Sequence, residues 1–263
     1  MLKRRLIPKL LYTTLEGRNS RKPALVVTNQ YDKRRLIGDP VSQAKIYEAQ
    51  LVDELLLLNI DSDQINPESL FISTLRSMAS ELSTPLSVGG GVRSLEDIEL
   101  LLQSGADKVI INTHANLYPK FINEAALRFG SQCIVVSIDY KFGTEVTEQQ
   151  VFVRGGKQSI NTTLIDQAKC MQNNGAGELI ISNIMRDGSS LGIDTQPLKD
   201  LVELLTIPLV ASCGCGLASH FVDALNTGLS GVSAGTYFTH RDQNPLQCRS
   251  HISNSGLPIR IGL

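Results

Sequence analysis

A closed (β/α)8 barrel of the TIM type is the fold that this sequence predicts, and three observations predict it. Eight short apolar runs alternate with helical patterns along 263 residues, a usual length for one such barrel. Most of the runs are nearly continuous in apolar residues, as parallel strands covered on both faces are. The second half of the chain also repeats the first. Pro85-Leu86-Ser87-Val88-Gly89-Gly90-Gly91 reads against Pro208-Leu209-Val210-Ala211-Ser212-Cys213-Gly214, and without a gap Gly105 falls on Gly228 and Thr113 on Thr236. Asp53-Glu54-Leu55 reads against Gly177-Glu178-Leu179, and Asp63 falls on Asp187. A half-barrel duplication accounts for both registers. No flexible linker interrupts the chain, so residues 1–263 are expected to form one domain.

The strands are expected at Leu6–Leu11, Glu54–Ile60, Leu86–Val88, Lys108–Ile111, Cys133–Ile138, Glu178–Ser182, Leu209–Ala211 and Gly231–Ala234. Helical patterns lie at about Pro40–Leu51, Pro67–Leu82, Ser94–Gly105, Pro119–Phe129, Thr162–Asn174, Thr195–Leu205 and Leu217–Asn226. Ser94-Leu95-Glu96-Asp97 spells a capping box before Ile98, Leu101 and Leu102, and Gly105 stands where that helix should stop. Two longer loops leave the C-terminal ends of strands, where the active sites of such barrels form. Tyr12–Gly38 carries Arg18, Arg21, Lys22, Lys33, Arg34 and Arg35, and reads equally as a solvated segment or as part of a site. Tyr140–Ile160 contains a hairpin signal around Gly155-Gly156.

Composition narrows the function classes. A net charge of −1 gives no global basic field for nucleic acid or an anionic membrane. No segment approaches the roughly 20 apolar residues that span a bilayer, and Pro8 and Lys9 interrupt any leader-like run after the basic start. Five cysteines without a scaffold spacing point to a reducing cytoplasm. Cys213 and Cys215 lack a second Cys/His pair at zinc spacing, and no metal or organic-cofactor signature is found.

The chemistry-bearing residues gather at the strand ends. Gly90 and Gly91 lie between a strand and a helix, where bare backbone and oriented N–H groups suit an anion. Asn112 and Thr113, after the next strand, add amide and hydroxyl donors to this first phosphate cup. Gly214, Ala234 and Gly235 make the symmetry-related second cup, with Asp187 and Gly188 on the strand before it. Two cups half a barrel apart suit a small molecule with a phosphate at each end. Asp139 ends the fifth strand, where a carboxylate serves as general acid or base, or as a structural cap. Its symmetry partner at the end of the first strand is Leu11, which cannot transfer a proton.

On these residues the chain resembles the cyclase subunit of imidazole glycerol phosphate synthase, the HisF family. The matching stretches include Arg4–Leu10, Gly38-Asp39-Pro40, Val88–Gly91, Gly105–Val109, Phe129-Gly130-Ser131-Gln132, Ile138-Asp139 and Arg186-Asp187-Gly188, and they cover nearly the whole chain. The resemblance implies a barrel with a doubly phosphorylated substrate. It also implies a HisH-like glutaminase docked on the N-terminal face and ammonia travelling through the barrel. The family's Arg–Glu–Lys–Glu ammonia gate matches Arg5, Glu54, Lys108 and Glu178; a salt-bridge plug that merely closes the barrel is the plainer reading of those charges. Of the family's two catalytic aspartates Asp139 matches one, while Leu11 stands at the other. Asn59 and Cys213 also depart from the pattern, the first at an acidic position and the second at a glycine of the second cup. Ile7-Pro8-Lys9-Leu10-Leu11 and Ile37-Gly38-Asp39-Pro40 are similar to a side branch found in surface-polysaccharide loci, the WbuZ type. That branch implies nitrogen supply to a sugar amidotransferase. Two alternatives stand beside it: a working cyclase of histidine biosynthesis, and a catalytically silent barrel that binds a phosphorylated ligand or activates its partner.

Overall fold

The computed structural model describes residues 3–17, 20–61, 65–142, 149–240 and 244–259. In chain order the elements are β1 (Arg5–Glu16), β2 (Arg21–Asn29), β3 (Lys33–Gly38), α1 (Pro40–Ala49), β4 (Leu55–Asn59), α2 (Leu70–Glu81), β5 (Leu86–Gly89), α3 (Leu95–Gln103), β6 (Lys108–Ile111), α4 (Thr113–Leu117), α5 (Lys120–Phe129), β7 (Ile134–Phe142), β8 (Gln149–Val153), β9 (Gln158–Thr163), α6 (Leu164–Asn173), β10 (Glu178–Asn183), α7 (Gln196–Leu204), β11 (Leu209–Ser212), α8 (Ala218–Leu225), β12 (Gly231–Ala234), α9 (Thr236–His240) and α10 (Pro245–Asn254). Strands β1, β4, β5, β6, β7, β10, β11 and β12 pair in that order, all parallel. β12 pairs back onto β1, with Arg5 opposite Gly231, so the sheet closes into the expected eight-stranded barrel.

The closed sheet has a two-layered interior because side chains alternate along each strand. One set packs outward against the helices, with Leu6, Leu10, Leu55, Leu57, Val109, Ile111, Val136 and Ile138 in one large cluster. The other set fills the barrel with Ile7, Leu56, Ile110, Val135, Ile180 and Val210. The helices start where sequence signals place them: Ser94 and Asp97 form the capping box of α3, Asp39 caps α1 and Thr163 caps α6. Gly105 and Gly228 both adopt left-handed backbone, φ +105° and +104°, after α3 and α8, which fits their places in the repeat.

Two regions differ from the sequence reading. The loop expected over 12–38 is a ribbon: β2 runs antiparallel to the far half of β1, and β3 to β2. A type I′ hairpin turn is normally announced by Asn-Gly or Gly-Gly. Here Gln30 and Tyr31 hold the two left-handed positions, φ +52° and +63°, so no turn signal was present. The second loop carries the matching addition, β8 and β9 beside the far half of β7, with Gly155-Gly156 in the hairpin turn as expected. The eighth helix, α10, gave little apolar periodicity because Cys248 and Ile252 share its buried face with Pro245 and Arg249. Arg18 and Asp63 lie outside the described residues.

Candidate active site

Four charges form the barrel floor. Arg5, Lys108 and Glu178 open β1, β6 and β10, and Glu54 immediately precedes β4. Two residues further on, Ile7, Ile110, Ile180 and Leu56 belong to the interior cluster, so the same alternation turns all four charged side chains inward. Arg5 Nη1 donates to Glu54 Oε2 at 2.6 Å, and Arg5 Nη2 pairs with Glu178. Lys108 Nζ lies 2.8 Å from Glu178 Oε2 and 3.2 Å from Glu54 Oε2. Cation and anion therefore alternate around a closed ring, and the Ser87 hydroxyl donates to Glu54 as well. Burial opposes ionisation of Glu178, but hydrogen bonds and charge from Arg5 and Lys108 outweigh it and hold the carboxyl below its ordinary pKa. Immediately above this floor the interior is apolar.

At the opposite mouth the inward positions turn polar. Asp139 of β7 lies opposite Ser182 of β10, Ser182 opposite Ser212 of β11, and Ser212 opposite Ser233 of β12. The four make one row across adjacent strands. The fully buried Ser233 hydroxyl has no partner among the described residues. Asp139 is 4% exposed. Its carboxylate accepts from Asn112 Nδ2 at 2.7 Å and from Tyr31 Oη at 3.1 Å. Burial pushes its pKa up to about 6, against the pull of those two donors and the Lys9 charge. A carboxyl group poised there changes protonation state near neutral pH, which suits proton transfer.

No second carboxylate stands at the end of the β1 barrel segment. Leu11 occupies that place, on the same side of the strand as Arg5, Ile7 and Lys9 and opposite Leu58 and Val26. Glu16, the nearest alternative on β1, is exposed and pairs with Arg21 at 2.7 Å. A cation that the sequence reading missed approaches instead. Lys9 is buried, with Nζ 3.3 Å from Cys213 Sγ and 3.8 Å from Asp187 Oδ1. Its signal was the alternation from Arg5 through Ile7, obscured by Pro8. Tyr31 carries no local signal, because the ribbon that brings it over the mouth is held by long-range contacts.

The expected anion cups are placed unequally. In the first, Gly90 and Gly91 adopt φ +105° and +81°. A Cβ on Gly90 would come 2.1 Å from the Asn59 carbonyl, so close packing of β4 already demands that glycine. Asn112 spends its amide on Asp139, and Thr113 Oγ1 accepts from the Arg154 N–H at 3.0 Å. In the second, Asp187, Gly188, Gly214, Ala234 and Gly235 line one cavity of about 20 Å3 together with Lys9. Asp187 and Gly188, expected on a strand, instead follow a 3-10 turn over Ile184–Arg186 beyond the end of β10. From there Asp187 Oδ2 accepts from Thr28 Oγ1 at 2.5 Å and from the Tyr31 N–H at 3.3 Å, fastening the β2–β3 turn over the mouth. Cys213, the counterpart of Gly90 in the repeat, has φ +78° and is a strained position for an L-residue. Among the described residues no cluster of His, Cys, Asp and Glu is arranged to hold a metal ion, and no helix is long and apolar enough to cross a membrane.

Comparison with known proteins agrees with this architecture. Residues 19–244 match the family described as histidine biosynthesis protein. A Prochlorococcus marinus (strain MIT 9313) protein, provisionally named imidazole glycerol phosphate synthase subunit hisF2, is 47% identical over 261 residues, 99% of each chain. Imidazole glycerol phosphate synthase subunit HisF of Exiguobacterium sp. (strain ATCC BAA-1283 / AT1b) is 40% identical, over 99% of this chain and 98% of its own. The HisF subunit of Anoxybacillus flavithermus (strain DSM 21510 / WK1) is 34% identical, over 99% and 100%.

Proposed function

From the premise that the chain belongs to the histidine biosynthesis protein family, as a HisF-like subunit of the imidazole glycerol phosphate synthase kind, we propose that it receives ammonia through its barrel from a HisH-like glutaminase. On this reading the nitrogen goes to a sugar amidotransferase for an amidated surface sugar, and the subunit does not close an imidazole ring itself. The observation that carries the proposal is the combination of a complete charged floor with a mouth that has Asp139 but only Leu11 at the end of the β1 barrel segment.

The chemistry follows from the layers. Neutral ammonia crosses an apolar layer far more cheaply than ammonium does. A floor of paired charges excludes ions while closed, and it opens when Lys108 swings away from Glu54 and Glu178. The molecule then passes Ile7, Leu56, Ile110 and Ile180 and meets the hydroxyl row, where Ser233 offers an unused donor and acceptor. Asp139, ionised above about pH 6, accepts or returns one proton there. Removing one member of an acid–base pair commonly costs orders of magnitude in rate, so Leu11 weighs against the ring-closing reaction. A working cyclase is the second reading, favoured by the names of the HisF relatives and by the buried, poised Asp139.

The test measures glutamine hydrolysis by a HisH-like glutaminase of the same organism, with and without this subunit. Stimulation is expected, together with release of free ammonia when Lys108→Met opens the floor. A glutaminase indifferent to the subunit, or a variant that leaks no more than the wild type, would count against the proposal.

A further inference from the structure

We propose that Lys9 is the cation of the second anion cup, and that it anchors one phosphoryl group of the ligand at the mouth. The inference rests on the reading that the mouth takes a phosphorylated small molecule, and adds to it a charged side chain at the heart of the site.

Lys9 lies on the wall of the cavity formed by Gly188, Gly214 and Gly235, three positions with no side chain to fill it. An ammonium has three N–H donors. One faces Cys213 Sγ at 3.3 Å and a second faces Asp187 at 3.8 Å, a long contact for an ion pair. A third is left for a ligand. Burial opposes the charge, but Cys213, Asp187 and Asp139 outweigh it and keep the ammonium protonated. Burial pushes the Cys213 thiol up to about 11, so it is neutral at physiological pH. Asp187 already accepts from Thr28 and Tyr31 on its other oxygen. The ammonium is therefore buried and held charged by its surroundings, and its remaining N–H is left to donate to an oxyanion in the cavity.

Neighbouring geometry keeps the space and the cation in place. A Cβ on Gly214 would meet the Gly192 carbonyl at 2.3 Å, and one on Gly235 would sit 3.2 Å from the Lys9 carbonyl and 3.8 Å from its Cε. The cavity of about 20 Å3 has room for a single phosphoryl oxygen. The anion therefore enters by one oxygen. Cys213 then has a use for its unfavourable backbone: a glycine there would relieve φ +78° but would drop the sulfur that holds the ammonium. Without Lys9 the cup would keep only the negative charge of Asp187 and would repel the ligand.

The experiment titrates the 263-residue chain with inorganic phosphate, following the Lys9 side-chain ammonium resonance by 15N-detected NMR and total binding by calorimetry. The wild type should show a saturable shift of the Lys9 signal. Lys9→Met should weaken that site at least about tenfold, the loss expected for one charge-assisted hydrogen bond. Lys9→Arg, which keeps the charge, should retain most of the binding, and serves as the folded comparison if the methionine variant is unstable. Phosphate that binds Lys9→Met with unchanged affinity and stoichiometry, or that saturates the wild type without moving the Lys9 signal, would overturn the assignment and leave the phosphorylated-ligand reading standing. A wild type that binds no phosphate would overturn both.

Discussion

Replacing Asp139 by asparagine removes one ionisation from the barrel mouth, and the structure sets the size and sign of the result. The side chain is 4% exposed, and burial raises its pKa from 3.8 to about 6. A folded-state pKa above the unfolded one means that the native protein holds this proton more tightly. Stability from this group is therefore complete below about pH 4, is lost between about pH 4 and 6, and stays lost above. At about 1.4 kcal/mol per pH unit, the loss approaches roughly 3 kcal/mol. An asparagine cannot ionise, so Asp139→Asn escapes it. The amide also faces two donors, Asn112 Nδ2 and Tyr31 Oη, and accepts poorly from one of them, costing about 1 kcal/mol at every pH. That constant offset cancels when the same pair of proteins is compared across pH. Urea unfolding of wild type and variant from pH 4 to pH 8 should show the stability difference moving by about 2–3 kcal/mol in favour of the variant, with most of the change centred between pH 4 and 6. Parallel profiles, with a difference constant to within about 0.5 kcal/mol, would mean that Asp139 is ordinarily solvated and would remove its claim to proton transfer.

Other perturbations bear on the same architecture. Glu178→Gln leaves Arg5 and Lys108 to share Glu54 alone on the floor and should cost about 3 kcal/mol in chemical denaturation. Because the folded pKa of Glu178 is depressed, the wild-type advantage is present at neutral pH and disappears as acid protonates the glutamate, so the two unfolding curves should converge at low pH. Tyr31→Phe removes a donor that lowers the Asp139 pKa, and carboxyl 13C titration should find it above the wild-type value. Gly90→Ala drives a Cβ to 2.1 Å from the Asn59 carbonyl in left-handed backbone and should cost more than about 2 kcal/mol. Gly155→Ala, with a similar sign of φ but open space around it, should cost only about 1 kcal/mol.

What the sequence made legible depended on whether a signal was local. Apolar runs such as Leu55–Leu58 and Ile134–Val136 are visible because parallel barrel strands are buried on both faces. The repeat carried geometric information: Gly90, Gly91 and Gly214 all have positive φ, and Cys213 adopts it too despite its Cβ. The charged floor was reached through the family pattern, and the distances from Arg5 and Lys108 to both glutamates are consistent with that placement. The mouth was harder to read because its contacts are long-range. Tyr31 reaches Asp139 across 108 residues, and Lys9 reaches Cys213 across 204. Asn112, expected to face an anion, instead orients the carboxylate of Asp139, a role that spacing alone cannot distinguish from phosphate contact. The β2–β3 turn was invisible because tertiary contacts to Asp187 hold Gln30 and Tyr31 in a conformation their own preferences disfavour.

Cyclase turnover by the isolated subunit, with free ammonium and the doubly phosphorylated ribulosyl substrate of the HisF reaction, tests the central claim most directly. A mouth with Asp139 but Leu11 at the end of the β1 barrel segment should turn over orders of magnitude below an ordinary HisF cyclase, and Leu11→Asp should raise the rate measurably. An ordinary rate from the wild-type chain would contradict the account, because it would mean that Leu11 marks no catalytic loss.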